Sequence, residues 1–279
     1  MIDYHVHTLY SGDSSAPIGD QLRAAAEHGI RELCFTDHVD FDNPGQNFAP
    51  ADLEKRHAEL RKYGGHFIAP AASGAPAFAP CGPVIIKEGA EISLAPDPDC
   101  LKKTAAYLAP YELDFIIGSV HCVDRVDVYY PEYHRGKPKA EAYLAYLETI
   151  AESLPDYGFI SVLGHYDFVA KYAPYDDRSM RTDLSPEVHN AFERIFRTVV
   201  SMGKGVEINT AAWRDAPHWG LDILKLYRAC GGEFVTFASD AHRPSAVANR
   251  LGEARELARE AGIPYYATFS RLVPSFHRI

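Results

Sequence analysis

Seven short apolar runs alternate with longer helical stretches, and this alternation limits the fold more than any other feature of the chain. Runs of about five to nine residues rich in Val, Ile and Phe predict buried strands, and the 3.6-residue apolar periodicity between them predicts helices. The predicted strands are 2–8, 32–36, 84–92, 114–120, 159–163, 205–209 and 233–238. The predicted helices are 18–28, 51–63, 99–109, 139–154, 185–202, 219–229 and 245–261. This order is typical of an α/β fold with parallel strands, either a barrel or an open doubly wound sheet.

Two boundary signals and one insertion complete this reading. Pro244 lies near the start of the last predicted helix and Gly262 lies just past its end, the usual asymmetry of helix termini. Segment 66–83, rich in Ala, Pro and Gly, is predicted to be a surface loop before the third strand, and 265–270 a last strand or an extended tail. Because the strand pattern resumes directly after the insertion, residues 1–279 are predicted to form one domain.

The composition excludes several classes of partner. The 279 residues carry a formal net charge of −10, which argues against a nucleic-acid backbone or an anionic membrane as the main partner. No run approaches the roughly 18 apolar residues of a membrane span, and no signal peptide is visible. The 5 cysteines are an odd number without paired spacing. Reduced thiols in a cytoplasmic protein are therefore expected.

Histidine is abundant, with 13 residues, and its placement indicates a metal site. Each predicted strand has an imidazole or a carboxylate at or near its C-terminal end. These residues are His5, His7, Asp37, His38, Glu91, His121, His165, Glu207, Asp240 and His242. In parallel sheets and barrels the loops at those ends converge on one mouth.

The residue types match metal chemistry. A single strand-end histidine is usually an ordinary polar residue, and Asp240 or Glu207 alone could be a cap or an ion-pair partner. Ligands at all seven strand ends, however, exceed what one tetrahedral ion needs. Two or three divalent ions are therefore predicted, and ions about 3.5–4 Å apart suit displacement at phosphorus. Of the remaining histidines, His134 and His218 follow strands in long loops and are candidates for substrate contact.

The motifs resemble a known family. DYHVHTLYSGDS, FTDH, EGAEIS, IGSVH, LGHYD, VEINT and ASDAH occur in this order between residue 2 and about residue 243. They are similar to the polymerase-and-histidinol-phosphatase (PHP) superfamily, and most closely to its histidinol-phosphate phosphatase branch. The resemblance implies a distorted (β/α)7 barrel with the site at the C-terminal ends of the strands. It also implies a trinuclear centre of zinc, manganese or iron.

The resemblance further implies a ligand set for each ion. One ion would be held by His5, His7, Glu91 and Asp240; a second by Glu91, His121 and His165; a third by Asp13, His38 and His242. Asp13 stands where some members have histidine, which leaves the identity and occupancy of the third site open. Glu88 competes with Glu91 on sequence alone, and the GxE pattern of the family favours Glu91.

The reaction implied is hydrolysis of L-histidinol phosphate to L-histidinol and phosphate by metal-activated hydroxide. Asp240 would orient or deprotonate the water, and Arg214 and Arg243 are candidate phosphate contacts because guanidinium binds two phosphate oxygens. For the imidazole and ammonium of this small phosphorylated substrate, the candidates are Asp124, Asp127, Tyr129 and Tyr130. Since ligating imidazoles must be neutral, activity is expected to fail below about pH 6.

Three alternatives remain open at this stage. The chain could be a phosphoesterase of the same fold acting on nucleotides or other small phosphoesters. It could also be a non-catalytic binding module stabilised by metal. An amidohydrolase with a similar mouth is the third alternative.

Overall fold

The computed structural model describes residues 1–43, 50–68, 82–211 and 220–279. Within these ranges the strands are β1 Ile2–Val6, β2 Glu32–Phe35, β3 His38–Val39, β4 His66–Phe67, β5 Val84–Ser93, β6 Phe115–Ser119, β7 Cys122–Val123, β8 Val126–Asp127, β9 Val162–Leu163, β10 Gly205–Asn209, β11 Phe234–Ala238, β12 Tyr265–Ser270 and β13 Val273–Arg278. The helices are α1 Ile18–Glu27, α2 Leu53–Leu60, α3 Pro98–Leu108, α4 Pro131–His134, α5 Lys139–Ser153, α6 Pro186–Ser201, α7 Leu221–Ala229 and α8 Leu251–Glu260. None of these helices is both long enough and apolar enough to span a bilayer.

A parallel sheet runs β1-β2-β5-β6-β9-β10-β11, with every neighbouring pair parallel. The order follows the chain because each strand returns through a helix to the next position, as the alternating pattern predicts. At the C-terminal edge, β1 meets the segment after β11: the His7 amide donates to the Ala241 carbonyl at 2.9 Å, and Val6 bridges Ala241. This contact brings the two ends of the parallel sheet together around the mouth.

Beyond β11 the sheet continues. β12 pairs with the first part of β11 in parallel, and β13 folds back antiparallel on β12. The predicted final strand 265–270 is therefore confirmed, whereas β13 is absent from the sequence prediction. Its burial is low, and its Pro, Ser, His and Arg do not resemble a buried strand.

The last helix differs from its prediction. Pro244 opens a short 3₁₀ turn, Pro244–Ala246, and α8 starts only at Leu251. Arg250 precedes it with a φ of 54°, in the left-handed region, so the chain reverses there before the helix begins. The C-terminal signal is correct: Gly262 follows α8 with a φ of 76°.

A buried ion pair holds the break between β2 and β3. Both strands pair with β5, and the chain is interrupted at Thr36 and Asp37. Arg56 of α2 is 1% exposed; it donates to Asp37 at 3.2 Å and to the Gly89 carbonyl at 2.6 Å. A buried carboxylate needs such a partner. The pair fixes the segment from which His38 enters the mouth.

Close packing also sets the position of His165. A Cβ at the preceding residue, Gly164, would lie 2.2 Å from the Ser119 hydroxyl. Only glycine allows the short strand β9 to approach β6 this closely. The Gly-His pair of the LGHYD motif therefore has a steric basis.

Of the predicted insertion 66–83, residues 69–81 lie outside the described residues, and His66–Phe67 form β4 against β5.

Candidate metal centre

The predicted ligand residues converge at the C-terminal edge of the parallel strands. His5 lies in β1 and His7 just after it, so both side chains point to the same face of the sheet. Glu91 lies in β5, His38 opens β3, and His121 and His165 follow β6 and β9. All of these side chains are nearly or fully buried.

Glu91 occupies the centre of the cluster, and its carboxylate is surrounded by five imidazoles. Its oxygens lie 3.0 Å from Nε2 of His5, 3.5 Å from Nε2 of His7, 3.1 Å from Nδ1 of His38, 3.3 Å from Nε2 of His121 and 2.7 Å from Nε2 of His165. A carboxylate in this position can bridge two ions. The competing acid, Glu88, instead pairs with His57 at 2.9 Å, outside the cluster.

Asp240 and Asp13 complete the cluster on the solvent side. Oδ1 of Asp240 lies 3.3 Å from Nε2 of His7 and 3.5 Å from Nδ1 of His242. Oδ2 of Asp13 lies 2.8 Å from Nε2 of His242 and 3.3 Å from Nε2 of His38. Asp240 has a φ of 52°, a left-handed turn that points its carboxylate back into the mouth.

Among the described residues, three groups have ligand atoms close enough to share an ion. Group 1 is His5, His7 and Asp240; group 2 is His38, Glu91 and His121; group 3 is His7, Asp13, His38 and His242. They correspond in outline to the three predicted ligand sets. His7 and His38 each belong to two groups, and His165 joins the cluster through its contact with Glu91.

The donor set fits divalent cations. Atoms bound to one ion at about 2.1 Å lie roughly 3.0–3.4 Å apart at octahedral or tetrahedral angles, and the contacts of Glu91 and Asp240 fall around this range. Within the described ranges, Nε2 of His7 is buried without a partner of hydrogen-bonding geometry. An ion between these atoms would satisfy them.

Electrostatic interactions inside the cluster shift the pKa values of its carboxylates and imidazoles. Burial alone would raise the pKa of the Glu91 carboxyl, but His5, His38 and His121 together hold it well below its usual value. Burial and the imidazoles of His242 and His38 lower the pKa of His7 to about 4. His7 is therefore neutral at physiological pH, the form that binds metal.

Two buried carboxylates lie behind the imidazoles. Oε2 of Glu207 lies 2.7 Å from Nδ1 of His5. Oδ2 of Asp40 lies 3.0 Å from Nδ1 of His121 and 3.4 Å from Nδ1 of His38. The strand-end pattern marked Glu207 without a role, and Asp40 was missed because only the folded chain brings it to His121.

The centre opens into a cavity of about 1120 Å³. Tyr129, Tyr130, Phe168 and Tyr172 line one side of it, and Lys171 and Arg243 add positive charge. Nζ of Lys171 lies 3.3 Å from Oδ2 of Asp240, and its side chain is 13% exposed. Sequence reasoning missed this lysine, because nothing in a KY dipeptide after the fifth predicted strand signals that it turns inward.

The other predicted contacts have different outcomes. Arg243, Tyr129 and Tyr130 lie in the cavity wall, as predicted. Asp127 accepts from the Tyr129 amide and the Asn43 side chain, and neither it nor Asp124 is among the described residues of the wall. His134 is buried beside Tyr133 and Tyr175. Arg214 and His218 fall in segment 212–219, outside the described residues.

Comparison with known proteins identifies the family of the chain. Residues 3–211 match the PHP domain. The chain belongs to the PHP domain family. The histidinol-phosphatase of Lactococcus lactis is 30% identical over 272 residues, covering 96% of this chain and 94% of that protein.

Two solved structures have a similar fold. A crystal structure of histidinol phosphate phosphatase from Lactococcus lactis, complexed with Zn, L-histidinol and phosphate, superposes with a TM-score of 0.85 at 29% identity. The match covers 98% of each chain. A structure from Listeria monocytogenes, at 16% identity and a TM-score of 0.66, covers 89% of this chain and 98% of its own, and shows the fold alone. The expected PHP-type α/β fold is thereby confirmed.

Proposed function

We propose that this PHP protein hydrolyses L-histidinol phosphate to L-histidinol and phosphate, using two or three divalent ions. The observation that carries the proposal is the Glu91 carboxylate surrounded by five imidazoles. The relative whose structure holds Zn, L-histidinol and phosphate supports the choice of substrate. Zinc, manganese and iron all accept imidazole and carboxylate ligands.

Each proposed metal site contains at least one of three carboxylates, those of Glu91, Asp240 and Asp13. Glu91 and Asp240 would hold one ion with His5 and His7; Glu91 would hold a second with His121 and His165; Asp13 would hold a third with His38 and His242. Divalent ions in such a centre supply positive charge to the phosphoryl oxygens and acidify water. The remaining steps depend on side chains of the chain itself.

Lys171 and Arg243 are the proposed phosphate contacts among the described residues. Burial would lower the pKa of Lys171, but the Asp240 carboxylate outweighs burial and raises it, so the ammonium stays charged. A charged ammonium and a guanidinium stabilise the negative charge that develops on phosphate oxygens during displacement. Arg214 remains a proposed contact from sequence alone.

Asp240 is the proposed acceptor of a proton from the attacking water, and this proton would then be available to the alkoxide oxygen of the departing histidinol. Burial would raise the pKa of its carboxyl, but Lys171 and His5 hold it well below its usual value. The carboxylate is therefore ionised throughout the neutral range. One oxygen faces His7, and the other faces Lys171 and the cavity, where a water can be oriented.

The aromatic side of the cavity suits the organic part of the substrate. Rings of Tyr129 and Tyr172 lie 4.4 Å apart, and those of Tyr129 and Phe168 lie 6.5 Å apart. Such faces bind a cationic or aromatic group such as protonated histidinol. Tyr129 and Tyr130 are thus the proposed substrate contacts that line the cavity, and Asp124 and Asp127 remain proposed contacts from sequence alone.

The proposal also includes the domain organisation, the partners and the cellular location of the enzyme. We infer a single-domain protein that acts on a small molecule, because the net charge of −10 opposes binding to nucleic acid and to anionic membranes. A cytoplasmic location fits the free thiols of Cys34, Cys100, Cys122 and Cys230.

The decisive test is phosphate release by protein loaded with Zn²⁺ or Mn²⁺. Histidinol phosphate would be compared with p-nitrophenyl phosphate, a nucleoside monophosphate and serine phosphate. We expect kcat/KM for histidinol phosphate to exceed the others at least a hundredfold, about 3 kcal/mol in transition-state binding. Similar weak rates on all four would refute the substrate, and hydrolysis of amides or lactones alone would refute the reaction.

A further inference from the structure

Asp40 is a buried carboxylate placed between two imidazoles of the metal centre. It follows β3, is 2% exposed, and presents one oxygen, Oδ2, to both Nδ1 of His121 and Nδ1 of His38. His121 belongs to group 2, whereas His38 belongs to groups 2 and 3. One carboxylate oxygen therefore contacts two rings that share group 2, and one of these rings also serves group 3.

The opposite nitrogens of both rings face proposed ligand carboxylates. Nε2 of His121 lies 3.3 Å from Glu91, and Nε2 of His38 lies 3.3 Å from Asp13. A neutral imidazole carries one hydrogen, and the nitrogen next to a hydrogen-bond acceptor holds it. An acceptor at Nδ1 therefore leaves the lone pair on Nε2 for an ion.

Glu91 is the other acceptor near His38, with Oε2 at 3.1 Å from Nδ1. In the proposed function, on which this inference rests, Glu91 binds ions, so its oxygens are not available to His38. Asp40, whose Oδ2 lies 3.4 Å from Nδ1, is an acceptor on that side of the ring.

We propose that Asp40 is a positioning residue that fixes His38 and His121 in the Nδ1–H tautomer and so couples the second and third metal sites. Both rings would then direct Nε2 towards the ions. Since one oxygen holds both rings, loss of Asp40 should weaken two sites together. Outer hydrogen-bond partners of this kind typically change metal affinity 10–100-fold.

The test uses Asp40→Ala, with Asp42→Asn as the matched control. Asp42 is also a buried acid, two positions further on. Among the described residues Asp40 lies within 3.4 Å of two imidazole nitrogens, and no ion pair of this kind joins Asp42 to a histidine. Zn²⁺ affinity would be measured by competition with a chelator, and bound metal by mass spectrometry. We expect Asp40→Ala to bind its second and third ions 10–100-fold more weakly, and Asp42→Asn to bind as wild type does. Equal affinity in Asp40→Ala and wild type would overturn the proposal.

Two further measurements stand independently of the folding of that variant. In the zinc-loaded wild type, ¹⁵N NMR of the rings should show hydrogen on Nδ1 and metal on Nε2 for both histidines. Ligation through Nδ1 in either ring would overturn the proposal. Asp40→Asn keeps an oxygen acceptor, so His38 and His121 should each stay in the Nδ1–H tautomer. A change of tautomer in either ring would contradict the proposed contact.

None of these readouts requires substrate turnover. A wild type that binds zinc with these tautomers but does not hydrolyse histidinol phosphate would refute the proposed function and leave the role of Asp40 supported. If the wild type hydrolyses histidinol phosphate and Asp40→Ala keeps full zinc affinity, the proposed function is supported and the role of Asp40 is refuted.

Discussion

Oε2 of Glu207 lies 2.7 Å from Nδ1 of His5, with both side chains fully buried. Oε1 of Glu207 accepts a hydrogen bond from Nδ2 of Asn209 at 3.0 Å, and this bond fixes the orientation of the carboxylate on β10. A carboxylate behind a ligating imidazole orients the ring and increases its basicity. Glu207 therefore directs Nε2 of His5 towards Glu91.

Replacing Glu207 should weaken metal binding. We expect Glu207→Ala to lower zinc affinity 10–100-fold, and Glu207→Gln to lower it less because an acceptor remains. Bound zinc after dialysis against graded chelator would measure the change. Glu233→Gln, an exposed acid before β11, is the matched control. Unaltered zinc affinity in Glu207→Ala would contradict this role.

Removing the charge of Lys171 should impair turnover. We expect Lys171→Met to reduce kcat/KM for histidinol phosphate about 100-fold, because the variant lacks a cation beside the phosphate. Lys171→Arg should recover part of the loss, and the exposed Lys225→Met should behave as wild type. Steady-state kinetics at matched metal content provide the measurement. If Lys171→Met had wild-type kcat/KM, the lysine would be only an ion-pair partner of Asp240.

Metal removal should reduce both activity and stability. Glu91 and Asp240 are buried carboxylates whose proposed counter-charges include the ions, and an ion bound only by the folded state stabilises it by mass action. We expect chelation to abolish hydrolysis and to lower Tm by several degrees, and Zn²⁺ or Mn²⁺ to restore both. Full activity in protein shown to be free of metal would refute the metal mechanism.

Asp42 should make stability depend on pH. Burial and the charge of Asp40 raise the pKa of its carboxyl from 3.8 to about 6. Between these values the folded state binds more protons than the unfolded state, so the free energy of unfolding should fall as pH rises. Asp42→Asn removes this contribution and should gain up to about 3 kcal/mol relative to wild type between pH 4 and pH 7.

Denaturant unfolding of chelated wild type and Asp42→Asn at several pH values would measure this difference. Titration of the histidines is common to both proteins and largely cancels. A constant difference across this pH range would show that Asp42 keeps its ordinary pKa in the fold.

The parallel strands and the convergence of the proposed ligand residues were predictable because both depend on local pattern. Buried parallel strands are continuous apolar runs, and strand ends converge by topology, so Glu91 and His165 could be assigned to one mouth from sequence. The start of α8 was not predictable, because the left-handed turn at Arg250 has no glycine to mark it. Strand β9 proved shorter than predicted, Val162–Leu163, since only these residues pair with β6 and β10.

The supporting groups could not be predicted for a different reason. Asp40 and Lys171 contact side chains that are distant in sequence, and their residue types are common on any surface. The strand-end pattern marked the position of Glu207 but not its contact with His5. Asp40 lies only two positions from His38, yet its closer contact is with His121. Such partners become visible only when the fold places them.

His5 and Glu207 are separated by 202 positions in the sequence, and Asp240 lies later still. During synthesis, a ribosome that has released β1 exposes His5 and His7 long before their carboxylate partners exist. The nascent chain can therefore present an incomplete, promiscuous chelating pair, but not the finished centre, until β11 and the residues after it have emerged. If these residues hold ions as proposed, the complete ligand set exists only after the last of these segments has been synthesised.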